Sequence, residues 1–334
     1  MGEGSAAPTA VTSSDVARLA GVSRATVSFV LNNKQAHRIT ATTRAKVLAA
    51  AQELGYVPHA AARALRAGRS NLVLIPASVS AAGQLVSAWV DALQSALYAH
   101  GYTTVLHGAR DTDAVAAARA WAEFRPAAVL TLGGEALTEA AAGVLTRAGV
   151  RGVLVLGSRP VKGVHTVGFD HGLVGALAVR HLVGRGRTRI GVVMPRERGL
   201  ATFAVPRLAG ARAEAAGAAT VTPVEMSYTD RSASELAKRW AESELDAVFA
   251  YNDEYATLLL HALRNEGFAV PDDVAVVGAD DLVGTTLLQP PLTTVRLGLP
   301  APAVVADALH ELIDQGTAPV IPGIEPVLVA RGSS

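Results

Sequence analysis

The sequence predicts a small all-helical head followed by two doubly wound α/β lobes, and two observations predict this division. Up to about residue 70 the chain consists of short helical patterns separated by capping residues and glycine. From residue 71 onward, short β-branched runs alternate with longer amphipathic stretches. At 334 residues the chain is long enough for two or three domains, at roughly 150 residues each.

Three helices are predicted in the head. Thr12, Ser23 and Thr40 are each placed to cap a helix, because their hydroxyls can accept a bond from an unpaired backbone amide. The predicted helices run through Leu19, to about Leu31 and over residues 41–54. Gly21 and Gly55 follow the first and third of them, where a left-handed residue ends a helix.

The rest of the chain alternates strands with helices. Nearly continuous apolar runs are typical of parallel strands buried on both faces, and nine of them occur: NLVLIP, YTTVLHG, AAVLTL, GVLVLG, GVHTVGF, RIGVVMP, TVTPVEM, AVFAYN and VAVVGA. Helical stretches lie between them, among them residues 83–99, 112–124, 171–184 and 252–265. Nine strands over about 260 residues favour two lobes. In such lobes a ligand binds beyond the carboxyl ends of the strands.

Charge is distributed unevenly along the chain. Residues 1–70 carry nine basic and three acidic side chains, a balance of +6, so the net charge of +1 leaves −5 for the remainder. A basic head on an acidic body predicts a polyanionic partner for the head. The alternative is an ordinary solvated basic face.

Composition and motifs exclude several classes of protein. No apolar run approaches 18 residues and the N-terminus lacks a signal pattern, so we expect a cytoplasmic protein without membrane contact. Cysteine is absent, which excludes disulfides and thiolate metal sites. The histidines lack metal-ligand spacing, and no Gly-x-Ser-x-Gly, Walker or Gly-x-Gly-x-x-Gly motif occurs. We therefore expect no cofactor, no metal and no catalysis.

The segment DVARLAGVSRATVSFVLNN has the steric pattern of a helix-turn-helix. Ala17 supplies the small contact between helices and Gly21 the turn. The outward face of the second helix is then formed by Arg24, Ala25, Ser28 and Phe29, with Ser23, Thr26 and Asn32 at its edges. Such side chains are suited to base edges and phosphates of DNA, although a chance amphipathic hairpin is the alternative.

A family resemblance follows from these residues. VTSSDVARLAGVSRATVSFVLNN, TTRAKVLAAAQELGYVPHAAARALRAGRS, VPDDVAVVGADD and PPLTTVR resemble the lactose-repressor/galactose-repressor family. The resemblance implies a homodimeric repressor that binds a palindromic operator, with lobes like those of periplasmic sugar-binding proteins and a sugar-like effector between them. It implies a DNA-binding domain at 1–57, a hinge helix and linker at 58–70 and an effector-binding body at 71–334. Within the body it implies an N-terminal lobe at about 71–167 plus 294–320, and a C-terminal lobe at about 168–293 plus 321–332.

The resemblance also implies residue roles in DNA binding. Arg24 and Ala25 would face base edges, and phosphates would be held by Ser23, Thr26, Ser28 and Asn32. Leu65, with Ala62 and Arg66 beside it, corresponds to a leucine wedged into the minor groove. Where relatives often have a base-contacting arginine this chain has Phe29, which would touch a thymine methyl group or fold back into the head.

Effector contacts are implied at the ends of strands. Asn252 and Asp280 match effector-contacting positions, as does Arg207, and Tyr228 stands where an aromatic ring often stacks on the ligand. Asp253 and Asp281 are instead expected to cap the helices that follow them. The first lobe departs from the family pattern and offers only Ser80, Gln84 and Ser158. That departure leaves open a non-hexose effector or a pocket without an effector, and a solute-binding receptor is a remote alternative.

Overall fold

The computed structural model describes residues 11–31, 39–57, 70–76, 83–108, 113–133, 137–157, 160–197 and 199–334. The chain divides into two compact units, Met1–Ser70 and Asn71–Ser334. Each unit has its own core, and each is described separately below.

The first unit contains three helices, α1 (Ser13–Ala20), α2 (Arg24–Leu31) and α3 (Ala41–Glu53). Their shared core is made of small and branched side chains: Val16, Ala17, Val27, Val30, Val47, Ala50 and Ala51. Short aliphatic side chains allow the three helices to approach closely, which suits a unit with so few residues to bury. The predicted helices of the head are therefore confirmed, within a residue at their ends.

The second unit contains two sheets. The first, in what we call the N-terminal lobe, has the parallel order β2-β1-β3-β4-β5, with strands β1 (Leu72–Ile75), β2 (Thr103–Leu106), β3 (Ala128–Leu132), β4 (Gly152–Gly157) and β5 (His165–Gly168). The second, in the C-terminal lobe, has the order β11-β10-β9-β8-β6-β7, with β6 (Arg189–Pro195), β7 (Thr220–Met226), β8 (Ala247–Phe249), β9 (Ala275–Ala279), β10 (Thr293–Arg296) and β11 (Val327–Val329).

Helices cover both faces of each sheet, as the apolar strands require. The N-terminal lobe has α4 (Gln84–Ala99), α5 (Ala114–Glu123) and α6 (Glu139–Arg147), and it also receives α12 (Pro302–Gln315), whose Val305 and Leu309 join its core. The C-terminal lobe has α7 (His171–Gly184), α8 (Ala201–Ala215), α9 (Asp230–Lys238), α10 (Trp240–Ser243) and α11 (Asp253–Asn265). The chain therefore crosses between the lobes after β5, after β10 and after α12.

All nine predicted strands are present, and the doubly wound architecture is confirmed. Strands β10 and β11 were not predicted. β10 is four residues long and follows two prolines, and β11 is three residues long and antiparallel to it, so neither shows the long apolar run of a central strand.

Candidate functional site

Helix α2 separates its apolar and polar residues between two faces. Val27 and Val30 are buried in the core of the head. Ser23, Arg24 and Ala25 are exposed at the start of the helix. An exposed guanidinium among hydroxyl groups is the chemistry that meets the phosphates and base edges of DNA.

The turn before α2 is fixed by local hydrogen bonds. Gly21 has φ +63°, and the backbone amide of Val22 donates to the carbonyl of Ala17 at 3.0 Å. The amide of Thr26 donates to Ser23 Oγ at 3.1 Å, and the two hydroxyls lie 2.9 Å apart. The predicted cap and glycine turn are confirmed, so the helix begins at a defined angle to α1.

Phe29 lies on the outer side of α2. Its side chain is 36% exposed and is not among the residues that form the three-helix core. The sequence left two alternatives for this ring, a contact with a thymine methyl group or packing inside the head. In the structure the ring faces outward and does not pack inside the head. An exposed aromatic ring on this face is available for an apolar contact with a partner.

Several predicted contact residues lie outside the described residues. They are Asn32, Ala62, Leu65 and Arg66 of the DNA-binding set, and Ser80 and Ser158 of the effector set. The contacts proposed for these residues stay predictions, as does the hinge helix predicted at 58–70.

A cavity of about 60 Å³ lies between the two lobes of the second unit, and we call it the interlobe cavity. It lies beyond the carboxyl ends of β3, β4, β8 and β9, as expected for doubly wound sheets. The lining residues come from both lobes: Val86, Trp89, Leu132, Gly133, Leu156, Phe169, His171, Phe203, Arg207, Tyr251, Asp280, Leu297 and Leu299.

The lobes contact each other directly beside the cavity. Glu254 of the C-terminal lobe accepts a hydrogen bond from the backbone amide of Gln84, at the start of α4, at 3.3 Å. A second contact is made by Gly133 of the N-terminal lobe, which lies close to α8. A Cβ atom added to Gly133 would be 2.8 Å from Thr202 Oγ1. The structure is therefore a closed form of the two lobes.

Arg207 is placed in the cavity wall by a close helix crossing. Its side chain is only 4% exposed; one terminal nitrogen donates to the carbonyl of Tyr251, and the guanidinium carbon lies 4.8 Å from the centre of that ring. A Cβ atom at Gly175 would lie 1.9 Å from the carbonyl oxygen of Arg207, so glycine is needed where α7 meets α8. Among the described residues, Arg207 Nε has no hydrogen-bond partner.

Asp280 follows β9 and is buried in the cavity wall with φ +109°. Burial raises the pKa of its carboxyl to about 7, against the opposing effect of the Arg207 charge. Asn252 lies close to it and caps α11, accepting from the amide of Tyr255 at 3.0 Å and donating to Glu254 at 3.1 Å. In this closed form Asn252 therefore serves as the cap of α11.

Tyr228 stands apart from the cavity lining. It is 47% exposed, and its ring centre lies 5.3 Å from that of Tyr255. Of the five effector residues predicted from the sequence and described by the structure, Arg207 and Asp280 line the cavity, whereas Gln84, Asn252 and Tyr228 do not.

Sequence reasoning missed His171, which lines the same cavity. Its ring packs between Phe169 and Phe203, with ring centres at 4.4 and 5.1 Å. Burial, with a smaller contribution from the Arg207 charge, lowers its pKa well below the usual value, so the ring is neutral. Nδ1 has no partner among the described residues. Its position directly after β5, at the start of α7, was the signal available in the sequence.

Neither Asp253 nor Asp281 caps a helix, which corrects the prediction. Asp253 is buried and accepts from Thr294 Oγ1 at 2.6 Å and from the amide of Leu282 at 2.8 Å, so it ties the segment after β9 to β10. Asp281 pairs instead with Arg331 and with Arg296. The cap position belongs to Asn252, because α11 begins at Asp253 itself.

Within the described ranges, no helix combines the length and the apolar character needed to cross a membrane. In the same residues, no group of three or more histidine, aspartate or glutamate side chains is arranged to hold a metal ion. Among the described residues that line the interlobe cavity, the titratable groups are His171, Arg207, Asp280 and the phenol of Tyr251.

Two family models match the chain. The model for bacterial regulatory proteins of the lacI family matches residues 12–59, and the model for a periplasmic binding protein-like domain matches residues 179–334. The HTH-type transcriptional regulator reg1 of Streptomyces lividans is 33% identical, over 96% of this chain and 95% of its own length. The ribose operon repressor of Escherichia coli (strain K12) is 29% identical, over 97% of this chain and 99% of its own length.

Solved structures of similar proteins agree with these matches. A lac repressor dimer bound to operator and the anti-inducer ONPF is 25% identical with a TM-score of 0.76, covering 97% of this chain and 99% of its own. A complex of the transcriptional regulator CelR with cellobiose is 28% identical with a TM-score of 0.62, covering 97% of this chain and 100% of its own.

Proposed function

Because the chain belongs to the lacI family of bacterial regulatory proteins, we propose that it is a transcriptional repressor that binds double-stranded DNA through its helix-turn-helix head. Residues 1–57 bind DNA, residues 58–70 form the hinge, and residues 71–334 bind the effector and dimerise. In this proposal the protein binds DNA and an effector and catalyses no reaction. It acts in the cytoplasm, where the chromosome lies.

The exposed face of α2 is the observation that supports DNA binding most directly. Ser23, Arg24 and Ala25 are exposed at the start of the helix, while Val27 and Val30 hold it in the head. A helix N-terminus that carries an arginine is suited to enter the major groove and pair with guanine. The hydroxyls beside it hold phosphates and fix the register.

A homodimer on a palindromic operator follows from the geometry of such heads. One head contacts only a few base pairs, so a two-fold dimer doubles the site, and the two half-sites mirror its symmetry. At the centre of the operator, Leu65 is the wedge that opens a base step in the minor groove. The helix-turn-helix part of this proposal is supported by the family match to residues 12–59, whereas the role of Leu65 rests on the resemblance of residues 42–70 to the family.

The effector binds in the interlobe cavity and is a sugar or related polyol. Similar proteins are named for ribose or were solved with cellobiose, and we extend that class to this chain. Arg207 and Asp280 line the cavity and supply hydrogen-bonding groups, and Asn252 lies beside Asp280 as an outer contact. Tyr228 lies outside the lining, and its stacking on the ligand rests on the family resemblance. Because about 60 Å³ holds only a few water molecules, a ligand enters when the lobes move apart.

Selection of DNA from a random duplex library tests the proposal. We expect the full-length protein to enrich one palindromic sequence and to protect it as a single footprint. Arg24→Ala serves as the matched variant, and it should lose most of the preference at one base in each half-site while keeping non-specific binding. A protein that enriches no sequence at low salt would refute the proposed repressor.

A further inference from the structure

We propose that Asp281 is a positioning residue of the effector site. Through bonds to Arg296 and Arg331, it holds the carboxyl of its neighbour Asp280 in the wall of the interlobe cavity. The same two bonds tie Asp280 to two of the three places where the chain crosses between the lobes. The inference rests on the proposed function, since it assumes that an effector binds at Asp280, and it names what connects that site to movement of the lobes.

The backbone at Asp280 and Asp281 needs support from its surroundings. Both residues have positive φ, +109° and +56°. The value at Asp280 lies beyond the left-handed range of about +50° to +70° that aspartate tolerates. A strained conformation of this kind persists only where surrounding contacts fix it, and such residues are frequent at ligand-binding sites. The contacts around this turn therefore determine how the carboxyl of Asp280 is presented.

Three successive backbone amides of the turn are fixed by three different groups. The amide of Asp280 donates to the carbonyl of Val295 at 2.9 Å, and that of Asp281 donates to Thr294 Oγ1 at 3.3 Å. The amide of the next residue donates to Asp253 Oδ2 at 2.8 Å. These bonds hold the backbone of the turn to β10 and to the first residue of α11.

The side chain of Asp281 fixes the turn to two further groups. One carboxylate oxygen accepts from Arg296 Nε at 2.7 Å, and the other accepts from a terminal nitrogen of Arg331. Arg331 is itself held, because its other terminal nitrogen donates to the carbonyl of Leu292 at 2.8 Å and to Thr285 Oγ1 at 3.1 Å. Although burial opposes ionisation, hydrogen bonds from the two arginines lower the pKa of Asp281, so its carboxylate stays charged. Charge-assisted bonds of this kind are the strong ones, and they have a defined geometry.

Both arginines stand at crossings between the lobes. Arg296 is the last residue of β10, and the chain continues from it through Leu297 and Leu299, which line the cavity, to the N-terminal lobe. Arg331 follows β11, on the segment that has returned from α12. Movement of one lobe relative to the other turns on such connecting segments, so it acts on the partners of Asp281. A change at Asp280 and a change in the angle between the lobes are therefore linked through one carboxylate.

The position of Asp280 can be measured through its protonation. Burial raises the pKa of its carboxyl to about 7, so release of the turn into water should lower that pKa towards its ordinary value of 3.8. Carbon NMR of the full-length protein, isotopically labelled at the side-chain carboxyl of aspartate, measures this pKa. The signal of Asp280 is identified by its loss in Asp280→Asn. A contribution of Asp281 to folding stability alone would leave the pKa of Asp280 unchanged.

Arg331→Gln is the most informative variant, because two explanations predict opposite changes. It breaks the bond to Asp281, and release of the turn should lower the pKa of Asp280 by about 1 or more. Loss of a positive charge would by itself raise that pKa. Arg296→Gln removes the other bond at an arginine that is 59% exposed, and it provides the same test if Arg331→Gln does not fold. A pKa of Asp280 that rises or stays the same in the folded variants would overturn the inference.

Arg180→Gln is the matched control for Arg296→Gln. The side chain of Arg180 is also 59% exposed, and it also forms an ion pair, with Glu214. That pair joins α7 to α8 and does not hold the turn after β9, so the pKa of Asp280 should stay at its original value. A fall in the control as large as that in Arg296→Gln would show that the loss of any ion pair suffices, and would contradict the role of Asp281.

Hydrogen exchange tests the tie to the crossings. The amide of Gln84, at the start of α4, bonds Glu254 of the opposite lobe, so exchange there reports closure. It should be faster in Arg296→Gln than in Arg180→Gln, and equal exchange would refute the tie. Operator binding is measured on the same preparations. Its absence in the original protein refutes the proposed repressor, whereas operator binding with an unchanged pKa of Asp280 in the variants refutes only the positioning role.

Discussion

Two buried residues of the interlobe cavity respond to pH in opposite directions. Asp280 binds its proton more strongly in the folded chain, because burial raises its pKa from 3.8 to about 7. Its contribution to stability is therefore full below pH 3.8 and is lost as pH rises through about 7. His171 has a pKa far below 6.5 when folded, so it destabilises the folded chain as pH falls below 6.5.

Substituting each residue separates the two effects. The free energy of unfolding of Asp280→Asn, relative to the original protein, should increase as pH rises from about 4 to 7. That of His171→Asn should increase, on the same relative scale, as pH falls from about 6.5 to 5. Urea titrations across this range measure both, with Asp91→Asn, at an exposed position of α4, as a control for the loss of a surface carboxyl. Parallel pH profiles for all four proteins would contradict the assignment.

Phe29 is the residue at which this head should differ from relatives in the DNA it prefers. It is exposed on α2, beside Arg24 and Ala25, so its replacement leaves the core intact. Phe29→Arg should replace a preference for thymine with one for guanine at one position of each half-site. Leu48→Arg adds the same charge at an exposed position of α3 and should raise non-specific affinity without changing the selected sequence. Identical selected sequences for Phe29→Arg and the original protein would show that the position does not contact bases.

At the scale of elements, the contact between α7 and α8 determines where Arg207 lies. Gly175→Ala would put a Cβ atom 1.9 Å from the backbone carbonyl of Arg207, and backbone cannot move aside as a flexible side chain does. We expect a loss of about 2 kcal/mol in the free energy of unfolding, and weaker effector binding as the helices separate. Gly184→Ala, near the end of α7 with no atom within 4 Å, should be neutral or slightly stabilising. Equal urea midpoints for the two variants would refute the packing argument.

Most helices and strands could be predicted from the sequence, because the residues that define them lie close together in the chain. The helix at 171–184 was predicted to the residue, and Ser23 and Thr40 were identified as caps, since a cap and its amide are three residues apart. The cavity was predicted only in part. Arg207 and Asp280 line it as expected, but its apolar wall joins residues such as Trp89 and Leu156, whose proximity depends on the tertiary fold. The wrong prediction for Asp253 has the same cause. Its carboxylate accepts a hydrogen bond from Thr294, 41 positions away along the chain, and does not cap the helix that begins at Asp253.

At the scale of the whole second unit, two glycines let the lobes meet. Gly83, at the start of α4, lies against Glu254, and Gly133, after β3, lies against Thr202. In both places a Cβ atom would come within 3 Å of the opposite lobe, at 2.5 and 2.8 Å. The end of the Glu254 side chain can move aside, so closure depends chiefly on the absence of a side chain at Gly133. A regulator whose effector enters between the lobes must separate these contacts.

Gly133→Ala should hold the lobes apart. Its methyl group would press on Thr202 Oγ1, and the contact between Gln84 and Glu254 would open with it. Gly149→Ala is the matched control, because Gly149 has a similar φ of +89° against +96° but no atom within 4 Å, so both variants carry the same backbone strain. Hydrogen exchange at the start of α4 and the start of α8 should be faster in Gly133→Ala than in Gly149→Ala, because lobe opening exposes those amides. Equal exchange in the two variants would mean that the lobes close without hindrance from a methyl group at residue 133, which would refute the role of this contact.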